Sequence, residues 1–267
     1  MDRIKPGEES DGFRLRTRNL ARNLTFIQNQ SISLRELFGA FSSRKWILAA
    51  AGPSLDYSFQ HIVALKEEGW LLAAVDMAHS VFCANDIVPD VVFSCEPKPF
   101  PFFSDPFQSR IESPVVLAST VHPYLITVLR KKGATVFSFF DFETGPLCGG
   151  LPVLPSGGNV TNAMLACIGG IKDVSLILAG NDYAFLEGRL YARGTMNSYL
   201  YHLKQSRMEN EETRNAGICH ASVRNSSNQP TSPAFIYCEN WQMEYLKILN
   251  RSGVNVQRLI PGTGELK

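Results

Sequence analysis

From Trp46 onward, short apolar runs alternate with stretches of helical periodicity, and this alternation constrains the fold more than any other feature of the sequence. Strands buried in a parallel sheet are continuous apolar runs, and the chain needs a crossover, usually a helix, to reach the next strand. The pattern therefore predicts an α/β, Rossmann-like fold with a mainly parallel sheet and helices on both faces. The predicted strands are 46–51, 71–75, 91–94, 115–118, 135–140, 174–179 and 254–260, and the predicted helices are 57–68, 78–85, 124–132, 162–168 and 239–249.

The same pattern divides the chain into three parts. Residues 1–40 are polar, rich in Arg and Asn, with one short apolar piece near their end, and we interpret them as an N-terminal arm packed on the domain. Residues 41–195 carry the alternation and form the predicted Rossmann-like domain. Residues 196–267 contain a polar, mixed-charge stretch of the kind that often covers a site, so we assign them as a C-terminal lid and closing helix of the same domain.

The charge composition argues against a nucleic-acid-binding protein. The 267 residues include 26 Lys and Arg against 25 Asp and Glu, whereas long contacts with a phosphate backbone require a basic surface. No apolar run is long enough to span a membrane, and the N-terminus lacks the pattern of a signal peptide, so we expect a cytoplasmic protein. The six cysteines show neither a CxxC pair nor a metal-ligand spacing with the histidines, which favours reduced thiols over a metal site.

Two glycine-bearing turns at the ends of apolar runs predict a site for an anion. Ala51-Gly52-Pro53-Ser54 follows the first strand, and Ser156-Gly157-Gly158-Asn159 precedes a helix. The unpaired N–H groups and the dipole of a helix start favour a phosphate, and glycine lets the backbone approach it. Ligands of such sheets bind beyond the carboxyl ends of the strands, which adds residues that follow other strands. The candidates from this reasoning are Gly52, Pro53, Ser54, Asp76, Ser156, Gly157, Gly158, Asn159, Asn181, Asp182 and Tyr183.

Each of these features also has a purely structural explanation. Gly52-Pro53 alone is compatible with a simple tight turn, and the second glycine turn alone with a helix entry. Asp76 and Asp182 are equally compatible with helix caps or with charge partners of an arginine. The joint placement of these residues after strands of one sheet favours a ligand site.

Four segments carry a resemblance to a known family: Ala51-Gly52-Pro53-Ser54-Leu55-Asp56, residues 74–92, Ser156-Gly157-Gly158-Asn159-Val160 and Gly180-Asn181-Asp182-Tyr183. They resemble the motility accessory factor (Maf) family, whose central domain is MptE-like, over roughly residues 30–195. Maf proteins are associated with attaching nonulosonic acids to Ser or Thr of flagellin. The resemblance therefore implies a glycosyltransferase that uses a CMP-activated sugar and has flagellin or another protein as its acceptor.

The two turns are also similar to those of bacterial sialyltransferases that use a CMP-sugar donor. That similarity implies that Gly52, Pro53 and Ser54 border the nucleotide and that Ser156 and Gly157 hold the donor phosphate. It implies further that Asp182 and Tyr183 line the donor side, and Tyr191 is a weaker match to a tyrosine that contacts the phosphate.

Transfer of the sugar requires the acceptor hydroxyl to lose a proton, and a histidine suits that task. His202 and His220 lie in the region where the similar sialyltransferases carry their base, so they are the candidate catalytic residues. Their spacing does not single out either one, and a surface or core role is as compatible with each. Tyr183 and Tyr191 are candidate donors to the leaving phosphate.

Two alternatives stay open. MptE itself is a 6-hydroxymethylpterin diphosphokinase, which needs clustered acids to hold Mg²⁺ against ATP. Only one acid, Glu96, follows the third predicted strand, so the sequence favours transfer without a metal or another cofactor, with Mg²⁺ needed only in the diphosphokinase alternative. The other alternative is a catalytically idle nucleotide-binding or scaffold module. Ala51 agrees with this alternative, because the sialyltransferase pattern has Asn at this position and alanine removes one polar contact.

Overall fold

The computed structural model describes residues 8–29, 34–41, 43–98, 111–141, 152–198, 213, 215, 223–260 and 265–266. These residues form an eight-stranded sheet in the order β6-β5-β4-β3-β2-β1-β7-β8, in which every neighbouring pair is parallel. The predicted α/β, Rossmann-like fold is confirmed. The strands are β1 Lys45–Ala49, β2 Leu71–Val75, β3 Val91–Ser94, β4 Val115–Ala118, β5 Val136–Asp141, β6 Val153–Leu154, β7 Ser175–Ala179 and β8 Asn255–Arg258.

The helices connect these strands and pack on the sheet. They are α1 Glu8–Gln28, α2 Leu34–Ala40, α3 Leu55–Glu67, α4 Asp76–Cys83, α5 Pro123–Lys131, α6 Val160–Gly169 and α7 Pro233–Arg251. Helices α5 and α7 begin with proline, whose fixed φ suits the first helical position, and the side chains of His122 and Ser232 cap them. Helix α7 thus starts six residues before the predicted 239–249.

The strand order places a switch point at the centre of the sheet. The chain adds β2 to β6 outward on one side of β1 and then returns, so that β7 lies against the other side of β1. The central strands are fully buried apolar runs, with Trp46, Ile47 and Leu48 all at 0 % exposure. In such sheets the crevice for a ligand opens where the strand order reverses, which here is at the carboxyl ends of β1 and β7.

The N-terminal segment contains a 21-residue helix, α1, that the sequence analysis does not predict. Its buried face includes two amides as well as apolar side chains. Asn19 donates to the carbonyls of Pro97 and Thr120, and Asn23 donates to those of Ser119 and Val121. Helix α1 is therefore fastened to the loops that follow β3 and β4.

Part of the predicted C-terminal lid joins the sheet, because β8 pairs with β7. Helix α7 belongs to the same segment, of which residues 199–222 apart from 213 and 215, residues 261–264 and residue 267 lie outside the described residues. No described helix combines the length and the apolar character that crossing a membrane requires.

Candidate functional site

A cavity of about 400 Å³ opens at the carboxyl ends of β1, β2, β3, β4 and β7. Its lining comes from the residues after these strands, from the start of α6, from the loop after β7 and from Arg16 of α1. The cavity therefore includes the switch point between β1 and β7, where the fold predicts a ligand.

The structure brings most of the predicted site residues to this cavity. Both glycine turns contribute to it, as do the residues after β2 and β7. Pro53, Ser54 and Gly157 are not among the lining residues. His202 and His220 lie outside the described residues, so their role as base stays a prediction. The predicted residues that line the cavity are Gly52, Asp76, Ser156, Gly158, Asn159, Asn181, Asp182, Tyr183 and Tyr191.

The first glycine turn forms a wall of the cavity rather than an open anion site. The N–H of Gly52 donates to the carbonyl of Gly180 at 2.8 Å, and the N–H of Ser54 donates to the Asp182 carboxylate at 2.8 Å. Pro53 has no N–H, and the N–H of Leu55 donates back to the Gly52 carbonyl. The Asp182 carboxylate thus occupies the position at the start of α3 where a phosphate would otherwise lie.

Asp182 is itself a buried acid, and two effects on its pKa oppose each other. Burial raises the pKa above its ordinary value, while the hydrogen bonds from Ser54 lower it. Burial is the larger effect. The carboxylate is a fixed part of the wall, and it explains why the sequence has glycine at position 52, since a side chain there would overlap the Asp182 carboxylate.

The second glycine turn offers the backbone donors that the first one lacks. Helix α6 begins at Val160, and the Asn159 side chain caps it by accepting the N–H of Asn162 at 2.8 Å. Within the described part of the chain, the N–H groups of Gly158, Val160 and Thr161 have no acceptor. All three residues line the cavity. A helix start with unpaired N–H groups attracts an anion, so this turn is the candidate anion site of the cavity.

The glycines of this turn are also explained by helix α7. Gly157 and Gly158 both have positive φ, at 50° and 88°, a region that favours glycine. A side chain at 157 would overlap the Trp241 ring, and one at 158 would lie 3.2 Å from Cys238 Sγ. Gly157 therefore allows Trp241 of α7 to pack directly against the turn. Gly158 is the glycine that lines the cavity.

A buried polar network holds the end of β7 against the start of α6. The Tyr183 hydroxyl donates to Asn162 Oδ1 at 2.9 Å and accepts from Gln242 Nε2 at 3.1 Å. Gln242 Oε1 in turn accepts from Asn181 Nδ2 at 2.6 Å and from Arg258. Because the Tyr183 proton is committed to Asn162, and burial raises the pKa of this tyrosine above its usual range, Tyr183 is a wall residue and a poor proton donor.

The sequence analysis does not identify Asn162 or Gln242 as site residues. Both are fully buried, at 0 % exposure, and both lie within helices on faces that are otherwise packed against the core. A buried amide needs partners for its donor and acceptor groups. A polar side chain on the buried face of a predicted helix is the signal that would have pointed to them.

We expect Gln242→Leu to lower the free energy of unfolding by about 2–3 kcal/mol, because the Asn181 amide loses its acceptor and the Tyr183 hydroxyl loses one of its donors in a buried place. Urea denaturation measures the change. Gln60→Leu, the same substitution at an exposed position of α3, is the matched control and should change stability by less than about 0.5 kcal/mol. Equal effects of the two substitutions would contradict a role for the network.

The opposite side of the cavity is acidic. Asp76 and Glu96, which follow β2 and β3, both line it. Asp76 is only 3 % exposed and accepts hydrogen bonds from the Ser94 hydroxyl at 2.5 Å and the Met77 N–H at 2.8 Å. The pKa of Asp76 is raised to about 7, mainly because the carboxyl group is buried. The hydrogen bonds from Ser94 and Met77 act in the lowering direction, and the nearby Glu96 charge acts in the raising direction.

The sequence pattern shows Glu96 as a single acid after the third strand, but in the structure a second acid lines the cavity beside it. The sheet brings Asp76 to the same side of the cavity from the neighbouring strand. Within the described residues there is nonetheless no group of three or more His, Cys, Asp or Glu side chains that could hold a metal ion.

A buried ion pair positions the loop that carries Tyr191. Arg189 contacts the Asp56 carboxylate at 2.6 Å, and its side chain is 5 % exposed. The same carboxylate accepts the N–H of Arg193 at 2.9 Å, and the N–H of Ala192 donates to the Ala51 carbonyl. The loop after β7 is thereby tied to α3 and to the first glycine turn, which brings Tyr191 to the cavity.

The fold and the cavity together define a Rossmann-like α/β protein with a candidate ligand site at the switch point of its sheet. A model of the family described as 6-hydroxymethylpterin diphosphokinase MptE-like matches residues 18–188. The chain belongs to the MptE-like family, which confirms the resemblance seen in the sequence.

A comparison with solved structures finds a Maf glycosyltransferase from Magnetospirillum magneticum AMB-1, with 20% sequence identity and a TM-score of 0.43. The match covers 54% of this chain and 23% of that chain, so this chain spans less than a quarter of that protein. No curated protein matches the chain.

Proposed function

We propose that the chain is a cytoplasmic, nucleotide-sugar-dependent glycosyltransferase of Maf type, which transfers a nonulosonic acid from a CMP donor to a protein hydroxyl, for example on flagellin. The observation that carries the proposal is the start of α6, where Gly158, Val160 and Thr161 present unpaired N–H groups at the switch-point cavity. Three backbone donors and the helix dipole suit the single phosphate of a CMP-sugar.

The two sides of the cavity suit the two halves of such a donor. Tyr183 and Phe235 pack edge to face, with their ring centroids 6.3 Å apart. Together with the Asn159 and Asn181 amides they form an aromatic side of the cavity. Strand β1 separates that side from the acidic side at the ends of β2 and β3. We place the nucleoside on the aromatic side, where its base can contact the rings and the amides. The transferred sugar then lies beyond the phosphate, toward the ends of β2 and β3, with its hydroxyl groups rather than its own carboxylate facing the two acids.

The acid pair supports a second candidate function. Asp76 and Glu96 on one side of the cavity are ligands of the type that Mg²⁺ prefers, so a diphosphokinase that binds ATP with Mg²⁺ is the runner-up. A binding module without catalysis is the third. An open cavity of about 400 Å³ supports ligand binding in all three cases.

Calorimetry with CMP, cytidine and ATP, each with and without Mg²⁺, separates these functions. We expect metal-independent binding of CMP and much weaker binding of cytidine, which lacks the phosphate. Mg²⁺-dependent binding of ATP, with no binding of CMP, would replace the proposal by the diphosphokinase. Binding of CMP without turnover of a CMP-sugar would favour the idle module.

Val160→Pro tests the phosphate site directly. Proline removes one N–H but suits the first position of a helix, and Asn159 before it is already extended, with φ −150° and ψ 167°. We expect CMP affinity to fall by about 10- to 100-fold, as for a lost hydrogen bond to a charged group. Val160→Ala shortens the same side chain but keeps the N–H, so it should bind CMP like the wild type. Equal CMP affinities of the proline and alanine variants would contradict a phosphate at α6.

A further inference from the structure

We infer that Asp76 accepts the proton of the acceptor hydroxyl during sugar transfer. This assignment rests on the proposed function, and it places the base on the sheet rather than in the segment that contains His202 and His220. It depends on where Asp76 lies relative to the switch point and on how its carboxylate is held.

The position of Asp76 is fixed by two backbone elements. It is the first residue of α4 and follows β2 directly, so it lies at the carboxyl edge of the sheet, next to the switch point. Its two oxygens hold one hydrogen bond each, from the Met77 N–H and from the Ser94 hydroxyl. A carboxylate oxygen has two lone pairs, so each oxygen keeps capacity for a further donor such as the acceptor hydroxyl.

Two other carboxylates line the cavity. Asp182 is fixed in the wall, where it accepts the N–H of Ser54 and lies against Gly52. Glu96, which accepts the N–H of Lys98 at 2.9 Å, follows β3 and is therefore one strand further from the switch point than Asp76. Tyr183 donates its proton to Asn162. Cys95, Tyr191 and Arg16 complete the set of titratable side chains, and the cavity lining found among the described residues includes no histidine.

The environment of Asp76 also gives it suitable basicity. Burial raises its pKa to about 7, and a base with a pKa close to the working pH transfers protons most effectively. By contrast, burial lowers the pKa of the nearby His79 to about 4, and this histidine does not line the cavity.

The reaction balances without a metal or a redox partner. The acceptor oxygen forms a bond to the anomeric carbon of the sugar, while the bond from that carbon to the phosphate oxygen breaks. The phosphate leaves with the bonding electron pair as CMP, facing the N–H groups at the start of α6. The proton of the acceptor hydroxyl passes to an Asp76 oxygen and returns to solvent after the product leaves.

The test compares Asp76→Asn with the wild type, using CMP-N-acetylneuraminate as donor and water as acceptor, and follows release of CMP above the spontaneous rate. We expect the variant to bind CMP within a few-fold of the wild type but to turn over about 100- to 10,000-fold more slowly. The wild-type rate should rise as the pH increases toward about 7 and then level off, whereas the residual rate of the variant should show no such rise.

Asp86→Asn, the same substitution on an exposed residue, is the control and should keep the wild-type rate and pH profile. If the wild type turns over the donor and Asp76→Asn does so at the same rate with the same pH profile, the assignment of Asp76 is wrong and the proposed function stands. If the wild type binds no CMP, or binds it without turnover, the proposed function falls and the assignment falls with it.

Discussion

Replacing Gly52 by alanine is expected to lower the free energy of unfolding by about 3–5 kcal/mol and to disrupt the wall of the cavity. The added Cβ would overlap the Asp182 carboxylate and would lie 2.5 Å from the Gly180 carbonyl oxygen. The carbonyl belongs to the backbone and is held close by the hydrogen bond from the Gly52 N–H at 2.8 Å. It cannot yield without moving the end of β7.

Urea denaturation measures this loss, and CMP calorimetry shows whether the folded fraction still binds. Gly39→Ala is the control, because a Cβ at position 39 in α2 meets nothing within 4 Å. That variant should be as stable as the wild type or slightly more stable, since alanine favours a helix. A Gly52→Ala protein with wild-type stability would show that the two strand ends are not in close contact.

The second large effect is a change with pH in the free energy of unfolding, caused by Asp76. Its pKa in the folded protein, about 7, lies above the ordinary value of 3.8. A raised pKa means that the folded state favours the protonated form, so the stability that this group provides is complete below pH 4 and is lost as the pH rises toward 7. The loss amounts to at most about 4 kcal/mol. We therefore expect Asp76→Asn, which carries no charge, to be about 2–4 kcal/mol more stable than the wild type at pH 8, and no more stable at pH 4.

The measurement is the difference in unfolding free energy between variant and wild type at several pH values. The difference is needed because His79 acts in the opposite direction. Its pKa is lowered to about 4 by burial and by the Lys132 charge, so the stability it provides is present above pH 6.5 and is lost as the pH falls toward 4. The wild type and the Asp76→Asn variant both contain His79, so its contribution cancels in the difference between their unfolding free energies. A difference that does not change with pH would contradict the buried, proton-binding state of Asp76.

The fold could be predicted because its strands are buried on both faces. Leu71–Val75 and Val115–Ala118 are apolar throughout, and Val91–Ser94 is apolar up to its last residue. The predicted bounds of these three strands agree with the structure. Helix α1 could not be predicted in the same way. Its buried face depends on Asn19 and Asn23, whose partners are carbonyls in loops far along the chain, and a periodic pattern of apolar residues does not record such partners.

The candidate site was predictable to a similar extent. Residues after parallel strands meet at one edge of the sheet, so the convergence of Gly52, Asp76 and Tyr183 follows from topology. Which glycine turn keeps its N–H groups unpaired does not follow from topology. That depends on Asp182, which lies 128 positions from Ser54 and reaches its N–H only in the folded chain.

The anchoring of α1 has a consequence for how the chain can be divided. Two asparagines of this helix satisfy four carbonyl groups beyond β3 and β4, and Arg16 of the same helix reaches the cavity. Starting the protein at residue 41 would therefore expose those carbonyls and remove part of the binding wall. Any minimal version of this protein, or any graft of its cavity onto another scaffold, has to retain the N-terminal helix as an integral part.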